Sequence, residues 1–265
     1  MSGHRDGDIR FKRLFLGAEG AADNYEFSLV ATRGAYHTPR HRHNFEQIRY
    51  CLEGAINFGP GKDVKAGQIG YFPEGTPYGP QDIVDQLAVV VQFGGASGQG
   101  FMSYRQLENG FEEMKKRGAF EKGVFKRGPG EDGRKNQDGY EAIWEMVNAR
   151  KLEYPKPRYE EPVLMDPEAF EFRADPARPG VARKTLGVFS ERELRVEMLR
   201  LDEGASINLA PAAGFALGYL RAGAASADGK DWAAGTALRA SPGKPAALRA
   251  ASPAEILVMT FPPVA

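Results

Sequence analysis

The feature that most constrains this chain is a set of turn residues that recurs, with the same internal spacing, in its two halves. YCLEGA at 50–55 faces YLRAGA at 219–224, so Gly54 matches Gly223. Further on, Gly67, Pro73, Gly75 and Tyr78 fall opposite Gly235, Ser241, Gly243 and Ala246. Short β-type runs lie between these breaks: QIRYCL at 47–52, QIGYF at 68–72 and LAVVVQF at 87–93, then RVEMLRL at 195–201, FALGYL at 215–220 and ILVMTF at 256–261. Short strands punctuated by Gly and Pro read as a closed antiparallel sandwich or barrel, and self-similarity on this scale reads as two copies of it.

The texture changes between the copies. YRQLENGFEEMKK at 104–116 and YEAIWEMVNARK at 140–151 carry apolar residues at helical spacing, separated by the polar, Gly-rich RGPGEDGRKNQD at 127–138. Prolines 155, 157 and 162 close the segment. The expected organisation is a β barrel over 1–98, a helical linker with a flexible loop over 99–162, and a second β barrel over 163–265. Two cores fit within 265 residues. Lys plus Arg and Asp plus Glu are 35 each, so no global field favours nucleic acid or an anionic membrane, and a small-molecule or protein partner is expected. A single cysteine allows no internal disulfide, and no apolar run approaches the ~20 residues of a membrane span. The polar start MSGHRDGDIR lacks the apolar core of a signal peptide, so the expectation is a soluble cytoplasmic protein.

The four histidines are His4, His37, His41 and His43. Two of them open HRHNFEQIRYCLEG at 41–54, and GQIGYFPEGTPYGPQD follows at 67–82. These stretches resemble the cupin superfamily. Its first motif runs Gly, five residues, His-x-His, three or four residues, Glu, six residues, Gly; its second runs Gly, five residues, Pro-x-Gly, two residues, His, three residues, Asn. The resemblance implies an all-β bicupin of two jelly-roll barrels, each a double-stranded β-helix, joined by the helical linker and commonly paired as a homodimer. It also implies a divalent metal, Fe(II) first with Mn, Ni, Cu or Zn as alternatives. Dioxygenase chemistry is the commonest implied activity, with isomerase, decarboxylase and lyase chemistry behind it.

The ligand positions depart from that pattern. Counting back from Gly54 puts Gln47 in the glutamate slot; counting forward from Gly67 puts Tyr78 in the slot of the third histidine and Asp82 in that of the asparagine. The implied metal set is therefore His41, His43, Gln47 and Tyr78. Strand alternation turns His41, His43, Gln47, Arg49 and Cys51 to one side, whereas Glu46 faces the lumen only through a bulge. An amide is a weaker ligand than a carboxylate, and a phenol must lose its proton. The alternative is that the two histidines only hydrogen-bond in a polar barrel mouth. In the second half the same register gives Ala210, Ala212, Ala216 and Ala246, which bind no metal.

Other candidates surround this set. Arg49 would face inward and either orient an anionic substrate or pair with Glu46, Glu74 or Asp82. Tyr78 would act as ligand or proton donor. Tyr36, Tyr71 and Gln92 are expected to contact substrate, and Phe58, Phe72 and Phe93 to form walls or core. Cys51 reads as a small core residue. His37 falls in an expected loop at the barrel mouth, as a fourth ligand, a general base or a surface histidine. Two further readings compete with the metalloenzyme: a metal-free module that binds or senses a sugar or organic acid, and a pseudo-enzyme whose helical insert docks a partner.

Overall fold

The computed structural model describes residues 6–263, so His4 lies outside them. The chain divides into two compact units, Met1–Met165 and Asp166–Ala265. In the first, the elements are β1 (Asp6–Leu16), β2 (Tyr25–Thr38), β3 (Phe45–Glu53), β4 (Ala55–Gly59), β5 (Lys62–Lys65), β6 (Ile69–Phe72), β7 (Gln81–Gly94), α1 (Tyr104–Met114), β8 (Gly118–Glu121), β9 (Val124–Arg127), β10 (Asn136–Asp138), α2 (Gly139–Asn148) and β11 (Val163–Met165).

An antiparallel sheet in the order β1-β2-β7-β3-β6-β11 forms one wall, and the β4–β5 hairpin belongs to the other. The long strands β2 and β7 shift register between Thr32 and Ala35, and beyond that point Gln81 on β7 donates to the Asn57 carbonyl of β4 at 2.6 Å. Val30, Cys51, Ile56, Val64, Phe72, Ile83 and Ala88 fill the interior. Val89 and Val91, on the other face of β7, are buried as well, which explains why LAVVVQF is apolar at successive positions.

Gly54 sits at φ +70°, and a Cβ there would lie 2.3 Å from the Asp85 carbonyl oxygen; at Gly223, φ +78°, it would lie 2.0 Å from that of Pro253. Both corners therefore admit only glycine, and the repeat in the sequence is a repeat of backbone geometry.

The segment after β7 docks on this barrel. Ser103 and Gln106 close a capping box on α1, and Asp138 caps α2 by accepting from the Glu141 N–H at 3.0 Å. Phe101, Leu107, Tyr140, Ile143 and Trp144 form one cluster with Phe45 of β3. The stretch expected to hold only helices and a flexible loop also contains a sheet in the order β10-β9-β8. Its driving contact is the cross-strand pair Phe120 and Phe125, with rings 5.0 Å apart and Phe125 fully buried.

The second unit repeats the topology, with Phe215–Ala222 between Ala254–Phe261 and Ala237–Ala240 as β3 lies between β7 and β6. Gln47 stands opposite Gln92 and Phe72, and Ala216 stands opposite Thr260 and Ala240. Arg49 faces Gly70, whereas Gly218 faces Leu238. The His41–Tyr78 bridge has its equivalent in Leu209 opposite Ala246, so the counterpart of His41 is Leu209 rather than Ala210. Ala216, Leu238, Ala240, Ala246 and Leu248 belong to an apolar core cluster there. Among the described residues no helix is long and apolar enough to cross a membrane.

Candidate functional site

The ends of the two motif stretches are fastened together by the backbone. His41 N–H donates to the Tyr78 carbonyl at 3.0 Å, Tyr78 N–H to that of His41 at 2.9 Å, and Gly75 N–H to that of His43 at 2.8 Å. The loop carrying Tyr78 is anchored from outside: buried Glu74 pairs with Arg158 at 2.9 Å, and the Thr76 hydroxyl donates to the Tyr159 carbonyl at 3.1 Å. This places the His41 ring 4.9 Å from His43 and 4.5 Å from Tyr78.

Alternation on β3 turns Gln47 and Arg49 to the same side, with Glu46 buried on the other face opposite Phe93. Arg49 Nε donates to Gln47 Oε1 at 2.9 Å, and its Nη2 donates to the Tyr78 hydroxyl at 2.7 Å. The guanidinium also lies over the Phe72 ring, 4.0 Å from its centroid. Gln47 Nε2 is 2.7 Å from His43 Nδ1, and the Tyr78 hydroxyl is 3.2 Å from that nitrogen.

These partners assign the tautomers. A guanidinium only donates, so Gln47 turns its oxygen to Arg49 and its NH2 to His43, whose Nδ1 then accepts and whose Nε2 carries the proton. His41 is the opposite case: its Nδ1 lies 2.7 Å from the Pro39 carbonyl, which only accepts, so Nδ1 carries the proton and Nε2 the lone pair.

His41, His43, Gln47 and Arg49 line a cavity of about 120 Å³ together with Tyr36, Gln92 and the apolar side chains of Ile9, Phe11, Val30, Ile56, Ile83 and Val90. Gln92 stands directly opposite Gln47 and lines the cavity together with Tyr104 at the start of α1. Burial, followed by the nearby Glu26 charge, holds the Tyr104 phenol well above its ordinary pKa. Tyr104, Leu107 and Tyr140 cover the cavity from the helical segment, and the Tyr140 hydroxyl donates to Asn44 Oδ1 at 2.9 Å.

No family model and no curated protein matches this chain. Solved structures do. A candidate dioxygenase from Nostoc punctiforme matches with a TM-score of 0.57 at 9% identity, over 98% of this chain and 84% of that one. Oxalate decarboxylase from Bacillus subtilis matches with a TM-score of 0.51 at 15% identity, over 97% of this chain and 72% of that one. A cupin 2 conserved barrel domain protein from Leptotrichia buccalis matches with a TM-score of 0.50 at 11% identity, over 97% and 90%. The chain has a bicupin fold. At these identities the likeness is one of fold, so the chemistry of this pocket has to be read from its own side chains.

In a cupin frame the first question is metal. A shell built from His41, His43, Gln47 and Tyr78 needs a lone pair from each. In the arrangement described, the His43 Nδ1 lone pair accepts from Gln47 while its Nε2 is protonated, and the oxygens of Gln47 and Tyr78 both accept from Arg49. A divalent ion on those oxygens would stand roughly 4 to 5 Å from a fixed positive charge, a repulsion of roughly 7 kcal/mol at an effective dielectric of ~20. Among the described residues no three His, Cys, Asp or Glu side chains are grouped to hold an ion. The four residues as arranged do not fit a resident metal, because an ion on the Gln47 and Tyr78 oxygens would stand against the Arg49 charge while the His43 Nδ1 lone pair is already accepting.

The remaining candidates separate clearly. Tyr36 and Gln92 line the cavity; Tyr78, only 4% exposed, stands behind it and contacts Arg49 and His43. Tyr71 does not line it: with Phe72 turned inward, alternation on β6 sends Tyr71 to the other face, 6.0 Å from the Tyr159 ring. His37 lies in strand β2 rather than a loop, half-exposed, with Nδ1 2.7 Å from Asp82. Cys51 is fully buried against the Glu53 and Gly54 carbonyls, and desolvation pushes its thiol up to about 11. The carboxylates proposed to pair with Arg49 are engaged elsewhere: Glu74 meets Arg158, Asp82 meets His37, and Glu46 faces away. Sequence reasoning missed Ile9 and Phe11, although IRFKRLF at 9–15 alternates, and it missed Tyr104 and Tyr140, whose helices read only as a linker.

Proposed function

We propose that the N-terminal barrel is a metal-independent cupin pocket that binds a small organic anion through Arg49. The observation carrying this reading is the guanidinium itself: it lines the cavity, is hydrogen-bonded to neutral groups, and has no carboxylate at ion-pair distance among the described residues. A partly buried cation calls for an anion, and a carboxylate matches its planar fork. Of its five N–H groups, Nε–H and one on Nη2 are committed, which leaves Nη1 and the second Nη2 hydrogen for a ligand. Oxalate decarboxylase, by its name, acts on a small dicarboxylate, which supports this ligand class; the aliphatic walls here favour an acid with an apolar body.

A second reading, an isomerase or lyase that moves a proton on the bound anion, is supported by the complementary tautomers of His41 and His43. His41 carries its proton on Nδ1 and His43 on Nε2. Oxidation on Fe(II) or another divalent ion, which the resemblance puts first, requires these side chains to rearrange.

Calorimetric titration of small carboxylic acids, run alongside elemental analysis, tests the reading. Saturable binding that weakens by ~1.5–3 kcal/mol in Arg49→Leu, with substoichiometric metal, supports it. Equal affinity in Arg49→Leu, or stoichiometric metal that disappears in a His41→Ala/His43→Ala variant, overturns it.

A further inference from the structure

We infer that Gln86 determines the specificity of this cavity by selecting anions that carry a hydrogen-bond donor, a hydroxyl or N–H, away from the carboxylate. The inference rests on the assignment of Arg49 as the anchor for the anion.

Gln86 lines the same cavity and is 4% exposed. Its Nε2 donates to the hydroxyl of Thr32, directly across the β2–β7 ladder, at 3.2 Å. Its Oε1 is buried and meets no donor among the described residues. Gln47 is engaged with Arg49 and His43 and Gln81 with Asn57, and among the described residues no other amide of the wall has a buried side-chain atom without a partner. A buried amide oxygen is destabilising unless a donor meets it, and the cavity that Gln86 lines together with Val30, Ile83 and Ala88 is where a donor would arrive.

The position of Gln86 separates this group from the anion anchor. Arg49 faces Val90, four residues further along β7, so roughly 13 Å of strand lies between the two backbones, part of it spanned by the side chains themselves. One carboxylate cannot satisfy both. At about 120 Å³, the cavity approaches the ~150 Å³ apolar cavity that takes a benzene ring. The ligand class is therefore a monocarboxylate with a single ring or a branched body of that size, hydroxylated or aminated at its far side.

Calorimetry with benzoate, the ortho, meta and para hydroxybenzoates and their methyl ethers tests this on wild type, Gln86→Leu and Arg49→Leu. At least one hydroxybenzoate should bind wild type ~10-fold tighter than benzoate, and its ether, which accepts but does not donate, should lose the gain. Gln86→Leu should bind that hydroxybenzoate no better than benzoate while still binding benzoate; Gln86→Met replaces it if the leucine variant does not fold. Equal binding of all four acids to wild type, or a preference that survives in Gln86→Leu, overturns the role of Gln86 and leaves Arg49 standing. Benzoate binding that is unchanged in Arg49→Leu overturns the anchor beneath it, and failure of every acid to bind overturns both.

Discussion

Arg49 donates to the Tyr78 hydroxyl at 2.7 Å and so holds a positive charge against one of the oxygens that would otherwise face a metal. The guanidinium is a poor structural element, because its partners are neutral. Arg49→Met should leave the ligand-free protein as stable as wild type or more stable by ~1 kcal/mol, measured by chemical denaturation, since well-packed apolar replacements of buried charges are often neutral or favourable. A loss above ~2 kcal/mol would show that Arg49 serves the fold.

If the guanidinium excludes the ion, removing it while restoring charged and imidazole ligands should admit one. The variant Gln47→Glu/Arg49→Met/Tyr78→His should bind one equivalent of Mn, Ni or Zn and gain ~2.7 kcal/mol at a hundredfold excess over Kd, whereas wild type should gain none. Equal stabilisation of wild type by these metals would refute the exclusion.

Glu26 is 2% exposed, and burial raises its carboxyl above the ordinary value against the opposing hydrogen bond from Ser28 and charge of Arg13. With its folded pKa raised, the folded chain keeps this proton at a pH where the unfolded chain has lost it, so stability falls as pH rises through that window. Glu26→Gln should flatten the fall in Tm that sets in as pH rises above the ordinary carboxylate value, and should melt higher at neutral pH. A lower neutral Tm in the variant would contradict this.

How much of this was legible in the sequence follows from where the determinants lie. Corners such as Gly54 and Gly223 demand a backbone only glycine adopts, so the two barrels could be found by spacing alone. Parity along β3 sufficed to turn Gln47 inward. Parity along β6 could not place Tyr71, because which face is inner depends on the pairing of Gln47 with Phe72 across two strands. The orientation of the Gln47 amide, and with it the tautomer of His43, depends on where Arg49 points, a three-body arrangement that no linear spacing encodes.

The Cys51 thiol, pushed to about 11 and fully buried, should resist alkylation in the native protein at about pH 8. Labelling followed by mass spectrometry should track unfolding in denaturant; rapid labelling without denaturant would place Cys51 on an open path to solvent.

Gly54→Ala combines a left-handed backbone with a 2.3 Å collision and should cost about 2 kcal/mol or more. Gly61→Ala, at φ +68° with nothing within 4 Å, should lose about half as much. Comparable losses would mean that backbone strain alone, rather than the contact with Asp85, restricts the corner.

The Arg49–Gly70 pair and its counterpart Gly218–Leu238 exchange size across the same two strands. In the first barrel the bulk grows from the central strand as a flexible charged arm; in the second it grows from the neighbour as an aliphatic plug, and a Cβ on Gly218 would lie only 2.7 Å from Leu238. Grafting an arginine at 218 would therefore fail unless Leu238 were first cut back. A single cross-strand swap thus puts an arginine at the centre of one copy of the duplicated barrel and a leucine in the same place of the other.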